Sequence, residues 1–274
     1  MIELVAEIGI NANGDLSIAK RLIDVAHSAG FHYVKFQKRT LESCYTKEEL
    51  DKPRVSPWGT TTREQKIGIE FTVAQYHEIN EYCKNKGIKW FASPWDSKSI
   101  FHIVNCGSCF VKIPSALLTW EPYIKLIVQQ CDKPIILSTG MSTMQEIHKA
   151  VNIIPEDRLY AILHCTSTYP SKNEEQNIKM ISTLKKHFPL TKIGFSNHSP
   201  GLTAMLMAAG QGAEIIETHI TLDRAMYGSD QAASIEPEGM FKLGKHIRAI
   251  PDIMGDGVKK IYDSELPIME KLRK

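Results

Sequence analysis

A (β/α)8 TIM barrel, a single domain over residues 1–274, is the fold class this sequence predicts, and three observations predict it. Eight short β-rich runs recur from end to end. Amphipathic stretches of helical spacing lie between them. No Pro/Gly/Ser-rich linker, internal repeat or low-complexity tract divides the 274 residues, which suit one eight-stranded barrel with nothing left over for a second domain. The runs, in order, are Glu3–Gly9, Tyr33–Gln37, Lys89–Ser93, Phe110–Pro114, Pro134–Thr139, Tyr160–Thr166, Lys192–Ser196 and Glu214–Ile220. Each is β-branched or aromatic without clean alternation, as expected of strands buried on both faces. The helical stretches are Leu16–Ala29, Ala74–Lys86, Glu121–Gln130, Met144–Asn152, Asn177–His187 and Thr203–Gly210. An open doubly wound sheet is the competing class, but it usually needs fewer strands, and no GxGxxG turn follows the first run. Thr40–Gly68, with Pro53, Pro57, Trp58-Gly59 and three consecutive threonines, is too long for an ordinary connection and reads as an irregular, functional βα loop.

Composition excludes several classes. With 33 basic and 31 acidic residues the net charge is +2, which argues against a basic nucleic-acid binder and a charged disordered chain. No apolar run approaches the eighteen or so residues of a membrane span, and the start, MIELVAEIGINANG, carries no secretory pattern. Six cysteines in a chain of this length point to reduced thiols, and the expectation is a soluble cytoplasmic protein.

In a barrel of parallel strands the chemistry sits at the strands' C-terminal ends. Those ends carry Glu7, Asn11 and Asn13; Lys35 and Gln37; Ser93 and Asp96; Lys112 and Ser115; Ser138-Thr139-Gly140; His164, Thr166, Ser167 and Tyr169; Ser196-Asn197-His198; and Glu217 and His219. One polar group in an apolar run is usually a satisfied structural residue. Polar groups at the same end of all eight runs point to a site.

Lys35 and Lys112 supply fixed positive charge there, and Ser93, Ser115, Ser138 and Ser196 supply donors, a set suited to a phosphate or phospho-carboxylate. Either lysine alone reads as a structural ion pair, with Glu7 or Glu217 as partner; the pair with the serines reads as an anion site. His198 and His219 lie on adjacent strands, and Glu217 points to the same side as His219 because the side-chain period is two. Two imidazoles with carboxylate and water suit manganese, iron or zinc; the bland alternative is that each histidine only hydrogen-bonds. Cys106-x-x-Cys109 lacks a second pair and reads as ordinary thiols, and Cys165 cannot face the same way as the adjacent His164.

The motifs AEIGINANG, VKFQ, FASPWD, VKIPS, PIILSTGMST, HCTSTYP, GFSNHSPG and ETHITLDRAMYGSD, in this order over about residues 2–237, resemble the catalytic barrel of the sialic acid synthase family. That resemblance implies a transferase that condenses phosphoenolpyruvate with an N-acetylated hexosamine aldehyde, forming a C–C bond and releasing phosphate. It implies phosphoenolpyruvate contacts at Lys35, Ser93, Lys112, Ser115, Ser138, Ser167 and Ser196, with Ser167 standing where relatives often carry asparagine. It implies a divalent metal at His198 and His219, manganese first, with magnesium, cobalt, iron and zinc as the other candidates. Gln37, Tyr169 and Asp230 fall near the amino sugar. Glu7 and Glu217, with Lys35 and Lys112, are the catalytic set, and either carboxylate could handle the water that adds at carbon 2. The expected partners are the two substrates and further copies of the chain in a homo-oligomer, with no nucleic acid and no membrane.

The sequence departs from the family pattern on the sugar side. Leu117 replaces an acidic residue, Ala12 replaces a histidine, and WGTTTREQK lacks a tyrosine near Arg63. Relatives also continue into a small antifreeze-like domain that closes the partner subunit's site, so the expectation here is a barrel closed in some other way, by Thr40–Gly68 or a partner's loop. Two competing readings follow: a phosphoenolpyruvate synthase for a phosphorylated aldose, of the octulosonate or heptulosonate type, for which Arg63 and Arg224 are the loop cations available, and a non-catalytic sugar- or phosphoenolpyruvate-binding barrel.

Overall fold

Eight parallel strands close on themselves in a computed structural model that describes residues 1–274. In chain order the strands are β1 (Glu3–Glu7), β2 (Tyr33–Lys38), β3 (Pro53–Ser56), β4 (Gly59–Thr61), β5 (Lys89–Pro94), β6 (Val111–Ile113), β7 (Ile135–Ser138), β8 (Leu159–His164), β9 (Lys192–Asn197) and β10 (Ile215–His219). The barrel runs β1-β10-β9-β8-β7-β6-β5-β2 and back to β1, while β3 and β4 form a separate antiparallel hairpin. All eight runs expected from the sequence are barrel strands, most of them a residue or two shorter than expected.

Alternation along each strand divides the side chains between two cores. Outward residues such as Leu4, Ala6, Val34, Phe36, Trp90 and Ile216 join a 51-residue layer between the strands and the surrounding helices. Inward residues near the strand starts, Val5, Tyr33, Phe91, Phe110, Ile136, Ala161, Leu163 and Ile215, form a separate plug of eight inside the barrel. Further along the same inward columns, Val5 gives way to Glu7, Tyr33 to Lys35 and Gln37, and Ile215 to Glu217 and His219. The sequence thus fills the lower interior with rings and branched chains and leaves the upper interior to polar groups.

Helices Leu16–Ala29, Val73–Lys86, Glu121–Gln130, Met144–Val151, Met180–His187 and Thr203–Gly210 lie where the helical pattern places them, the fifth starting three residues late. Helix Ser97–Asn105, missing from the sequence reading, is started by the Asp96 carboxylate, which accepts from the Ser99 N–H at 2.9 Å and the Thr40 N–H at 2.7 Å. Helix Pro237–Met254 packs on the first helix and closes the ring.

The Thr40–Gly68 segment is not irregular. It holds short helices Leu41–Cys44 and Lys47–Leu50, the hairpin, and most of helix Thr62–Ile69. Capping boxes set the order: Thr46 with Glu49 starts one helix and Thr61 with Glu64 another. Trp58, at the hairpin tip, packs so closely on Gly68 that a Cβ there would lie 2.1 Å from the indole, and its ring meets Tyr227 of the segment after β10 edge-on at 5.4 Å.

Candidate active site

Strand register brings the polar groups together. Glu7 sits beside both Lys35 and His219, Gln37 beside Ser93, and Glu217 beside Ser196. With Lys112 on β6 they line one cavity of about 200 Å³ at the C-terminal mouth, joined by Trp95, Pro114, Ser115, Ala116, Ser138, Met141, Ser167, Tyr169 and His198. Every site residue expected from the sequence lines this cavity except Asp230. That carboxylate stands just outside, its Oδ2 3.7 Å from His219 Nδ1.

The circle of strands divides the site into two arcs. Ser93, Lys112, Ser115, Ser138, Ser167 and Ser196 come from β5 to β9 or the residues just after them. Asp230, Glu7 and Gln37 come from the β10, β1 and β2 side. His198 and His219, ring centroids 5.6 Å apart, stand at the boundary.

Both lysines are ion-paired, as the structural reading expects. Lys35 Nζ contacts the Glu7 carboxylate and lies 4.0 Å from Glu217 Oε1; Lys112 Nζ donates to Glu217 Oε1 at 2.5 Å. Ser196 Oγ donates to the same oxygen at 3.0 Å. Burial alone would raise the Glu217 pKa, but Lys112 and Lys35 outweigh it and hold the carboxylate ionised. Burial takes Lys35 down to about 7, with the attraction of Glu217 set against the repulsion of Lys112 and Arg39.

Hydrogen-bonding capacity is left over here. Fourteen buried side-chain atoms in the protein lack a partner, and six of them, Glu7 Oε1, Ser93 Oγ, Trp95 Nε1, Ser138 Oγ, Glu217 Oε2 and His219 Nδ1, belong to residues lining this cavity. Such concentration marks a place where a ligand completes the bonding. Gly140 adds a close approach: its N–H donates to Ser115 Oγ at 3.0 Å, and a Cβ there would lie 2.1 Å from Ser167 Oγ and 2.9 Å from Ser115 Oγ.

The imidazoles are suited in chemistry to a divalent ion. Burial, then repulsion by His219, takes His198 down to about 3, and burial lowers His219 too, so both rings are neutral, as metal binding requires. His198 Nδ1 donates to the Thr166 carbonyl at 2.6 Å, which leaves Nε2 as the lone-pair nitrogen, 3.0 Å from the Tyr169 hydroxyl. His219 Nδ1 has no hydrogen-bond partner. No group of three or more His, Cys, Asp or Glu is arranged to hold a metal, so an ion at these two imidazoles would need most of its ligands from elsewhere.

Other strand-end polar residues are structural. Asn11 Nδ2 donates to the Ile220 carbonyl and to Ser234 Oγ, Asn197 closes a turn with Ser199, His164 Nε2 donates to the Gln176 carbonyl at 2.8 Å, and Asp96 caps a helix. Ala12 is buried in the outer core and Leu117 packs against it, so neither faces the cavity. Sequence reasoning missed Trp95, Pro114, Ala116 and Met141. The first lies in FASPWD, two residues beyond the strand serine, and that placement was the available signal.

The model of the NeuB family matches residues 22–259. The chain belongs to the NeuB family. It is 34% identical to the N-acetylneuraminate-9-phosphate synthase of Homo sapiens, over 99% of this chain and 76% of that one. It is 35% identical to the N,N'-diacetyllegionaminic acid synthase of Campylobacter jejuni, over 99% of this chain and 83% of that one. Among solved structures it resembles the N-acetylneuraminic acid (sialic acid) synthetase of Leptospira borgpetersenii serovar Hardjo-bovis in complex with citrate, with a TM-score of 0.82, 30% identity, and coverage of 98% and 90% of the two chains. No helix is long and apolar enough to cross a membrane.

Proposed function

We propose that this protein is a phosphoenolpyruvate-dependent synthase that joins carbon 3 of phosphoenolpyruvate to the aldehyde carbon of an open-chain N-acetylated hexosamine or its phosphate, releasing inorganic phosphate. One observation carries this reading: in a NeuB-family barrel, six unpartnered buried polar atoms, two lysines and two neutral imidazoles converge on one cavity.

Lys35 and Lys112 hold the phosphate and carboxylate of phosphoenolpyruvate by charge, and Ser93, Ser115, Ser138, Ser167 and Ser196 donate to its oxygens. Gln37, Tyr169 and Asp230 face the acceptor. His198 and His219 would hold a divalent ion, manganese in our reading, whose chemistry is Lewis-acid polarisation of the acceptor carbonyl. As the new C–C bond forms, carbon 2 becomes electron-poor and takes up water. Glu217, kept ionised by its lysines, or Glu7, with one free oxygen, orients that water and accepts its proton. The resulting tetrahedral centre then loses phosphate by C–O cleavage.

Six unpaired cysteines fit a reducing compartment, and we place the reaction in the cytoplasm. Exposed apolar side chains at Ile253, Val258, Ile261, Leu266, Ile268 and Leu272 fit burial against a second copy, in a homo-oligomer.

The test incubates purified protein with manganese, phosphoenolpyruvate and a panel of N-acetylhexosamines and their 6-phosphates in 18O-labelled water. The expected result is phosphate release, an acid three carbons longer than the acceptor, and label in that acid, not in the phosphate. Phosphoenolpyruvate left unconsumed with every acceptor would sink the reading.

A further inference from the structure

Arg63 and Arg224, the loop cations the sequence offered, are occupied: Glu42 holds the first at 3.1 Å and Asp51 at 3.8 Å, and Glu236 holds the second at 3.4 Å. Arg39, directly after β2, forms no salt bridge and is held in another way. Its backbone N–H donates to Glu70 Oε2 at 3.3 Å, and the next N–H, that of Thr40, donates to Asp96 Oδ2. Its guanidinium lies over the Trp95 ring at 4.1 Å and donates from Nη2 to Gln37 Oε1 at 2.8 Å; both of these neighbours line the cavity. Main chain, indole and amide together fix the arginine.

That contact decides which end of an amide is left for a ligand. A guanidinium only donates, so the group opposite Nη2 is the amide oxygen, and Nε2 is the free end. The nitrogen lies beside Gly9: a Cβ added there would be 3.3 Å from Gln37 Nε2 and 2.8 Å from Glu7 Oε1, a buried oxygen without a hydrogen-bond partner. Glycine at this position leaves room between an N–H donor and a carboxylate oxygen, on the wall of the cavity that both residues line. With the amide reversed, the same spot would hold two acceptors and no donor.

We propose that Arg39 is a positioning residue for the acceptor: it holds the Gln37 amide with its nitrogen end toward the cavity and steadies Trp95 as the wall beside it, so that Gln37 donates to an oxygen of the acceptor sugar. The inference rests on the synthase reading above and adds to it a residue that itself touches no substrate. Gln37 alone could present either end, since the two ends of a primary amide have nearly the same shape and differ in hydrogen-bond direction. Arg39 removes the choice. Its planar fork suits the task better than an ammonium would, because a face lies over the indole while an edge meets the amide.

The experiment measures kcat, KM for the acceptor and KM for phosphoenolpyruvate at saturating manganese, with the N-acetylhexosamine or 6-phosphate that the native enzyme turns over fastest. Arg39→Met should raise the acceptor KM by about tenfold, the size of one well-placed hydrogen bond, and leave KM for phosphoenolpyruvate within about twofold. Gln37→Ala should do the same, and the double variant should be no worse than either single one, because Arg39 acts through Gln37. Gln37→Glu keeps the arginine contact but turns an oxygen toward the cavity. It should raise the acceptor KM at least as far as Gln37→Ala, and it tests the donor even if Arg39→Met fails to fold. An acceptor KM unmoved by Arg39→Met, a KM for phosphoenolpyruvate that rises alongside it, penalties that add in the double variant, or a Gln37→Glu variant that works like the native enzyme would each overturn the positioning role while leaving the synthase standing. Failure of the native protein with every acceptor would remove the synthase reading itself, and the role of Arg39 with it.

Discussion

The two ends of this barrel share the same eight strands but treat polar groups oppositely. At the N-terminal end Tyr160 donates to Glu3 at 2.7 Å, Lys192 donates to Glu3 and to Tyr160 at 2.8 Å each, and Tyr33, Phe91 and Phe110 close the interior with edge-to-face contacts. At the C-terminal end six buried polar atoms have no partner and four charged side chains surround a cavity. One end is saturated with its own bonds and the other is left needing a ligand. Stability is stored below and recognition above, in adjacent layers of the same inward columns.

Substitutions can break that division. The largest effect is expected from Lys112→Met, which should lower kcat/KM by roughly a thousandfold, since it removes a buried charge from the cavity where we propose the substrate anion binds. Steady-state phosphate release measures it, and a loss below tenfold would mean that the mouth works without this charge. Phe110→Ala acts on the other end. It should cost about 3–5 kcal/mol in urea unfolding, with kcat of the folded fraction unchanged.

Ser138→Ala is a finer probe. KM for phosphoenolpyruvate should rise by about tenfold, while stability holds or rises because an unpartnered buried hydroxyl is gone. A destabilised variant would assign Ser138 to the fold. The smallest expected effect is one of pH. With its pKa lowered to about 7, Lys35 is charged below that pH and loses its proton above it. Between pH 7 and 8, kcat/KM for phosphoenolpyruvate should fall by about fivefold as the charged fraction drops. Over the same range and up to the unfolded lysine value the fold should gain stability, because the unfolded chain binds a proton that the folded one releases. Glu7, Glu217 and Lys112 face the same amine, so Lys35→Met is the control that should remove the stability slope.

The comparison also explains what the sequence could and could not show. Strand number and order were readable because each run is short, branched and punctuated, and the saturated end required no further information. The polar residues were harder to sort. His164 and His198 look alike on paper, one bonded to the Gln176 carbonyl and facing away, the other lining the cavity. Asp96 and Glu7 are both strand-end carboxylates, yet one caps a helix and the other contacts Lys35. Which carbonyl or N–H occupies a side chain depends on loops that meet only in three dimensions.

Charges at the mouth show the same limit. Arg63 and Arg224 stood out as loop cations, but a carboxylate 21 residues away and another 12 away neutralise them. Arg39 gave no linear sign of being free. The order within Thr40–Gly68 was available in Thr46-x-x-Glu49 and Thr61-x-x-Glu64, and the surrounding prolines and glycines masked it.

Trp58 gives the acceptor side a property that matters to anyone altering its selectivity. By packing on Gly68 and meeting Tyr227, it couples the excursion after β2 to the segment after β10. The two walls therefore behave as one exchangeable cassette, roughly residues 40–69 with 221–236. Swapping either wall alone between relatives would lose the edge-on contact between Trp58 and Tyr227. Chimeras should carry both walls or neither.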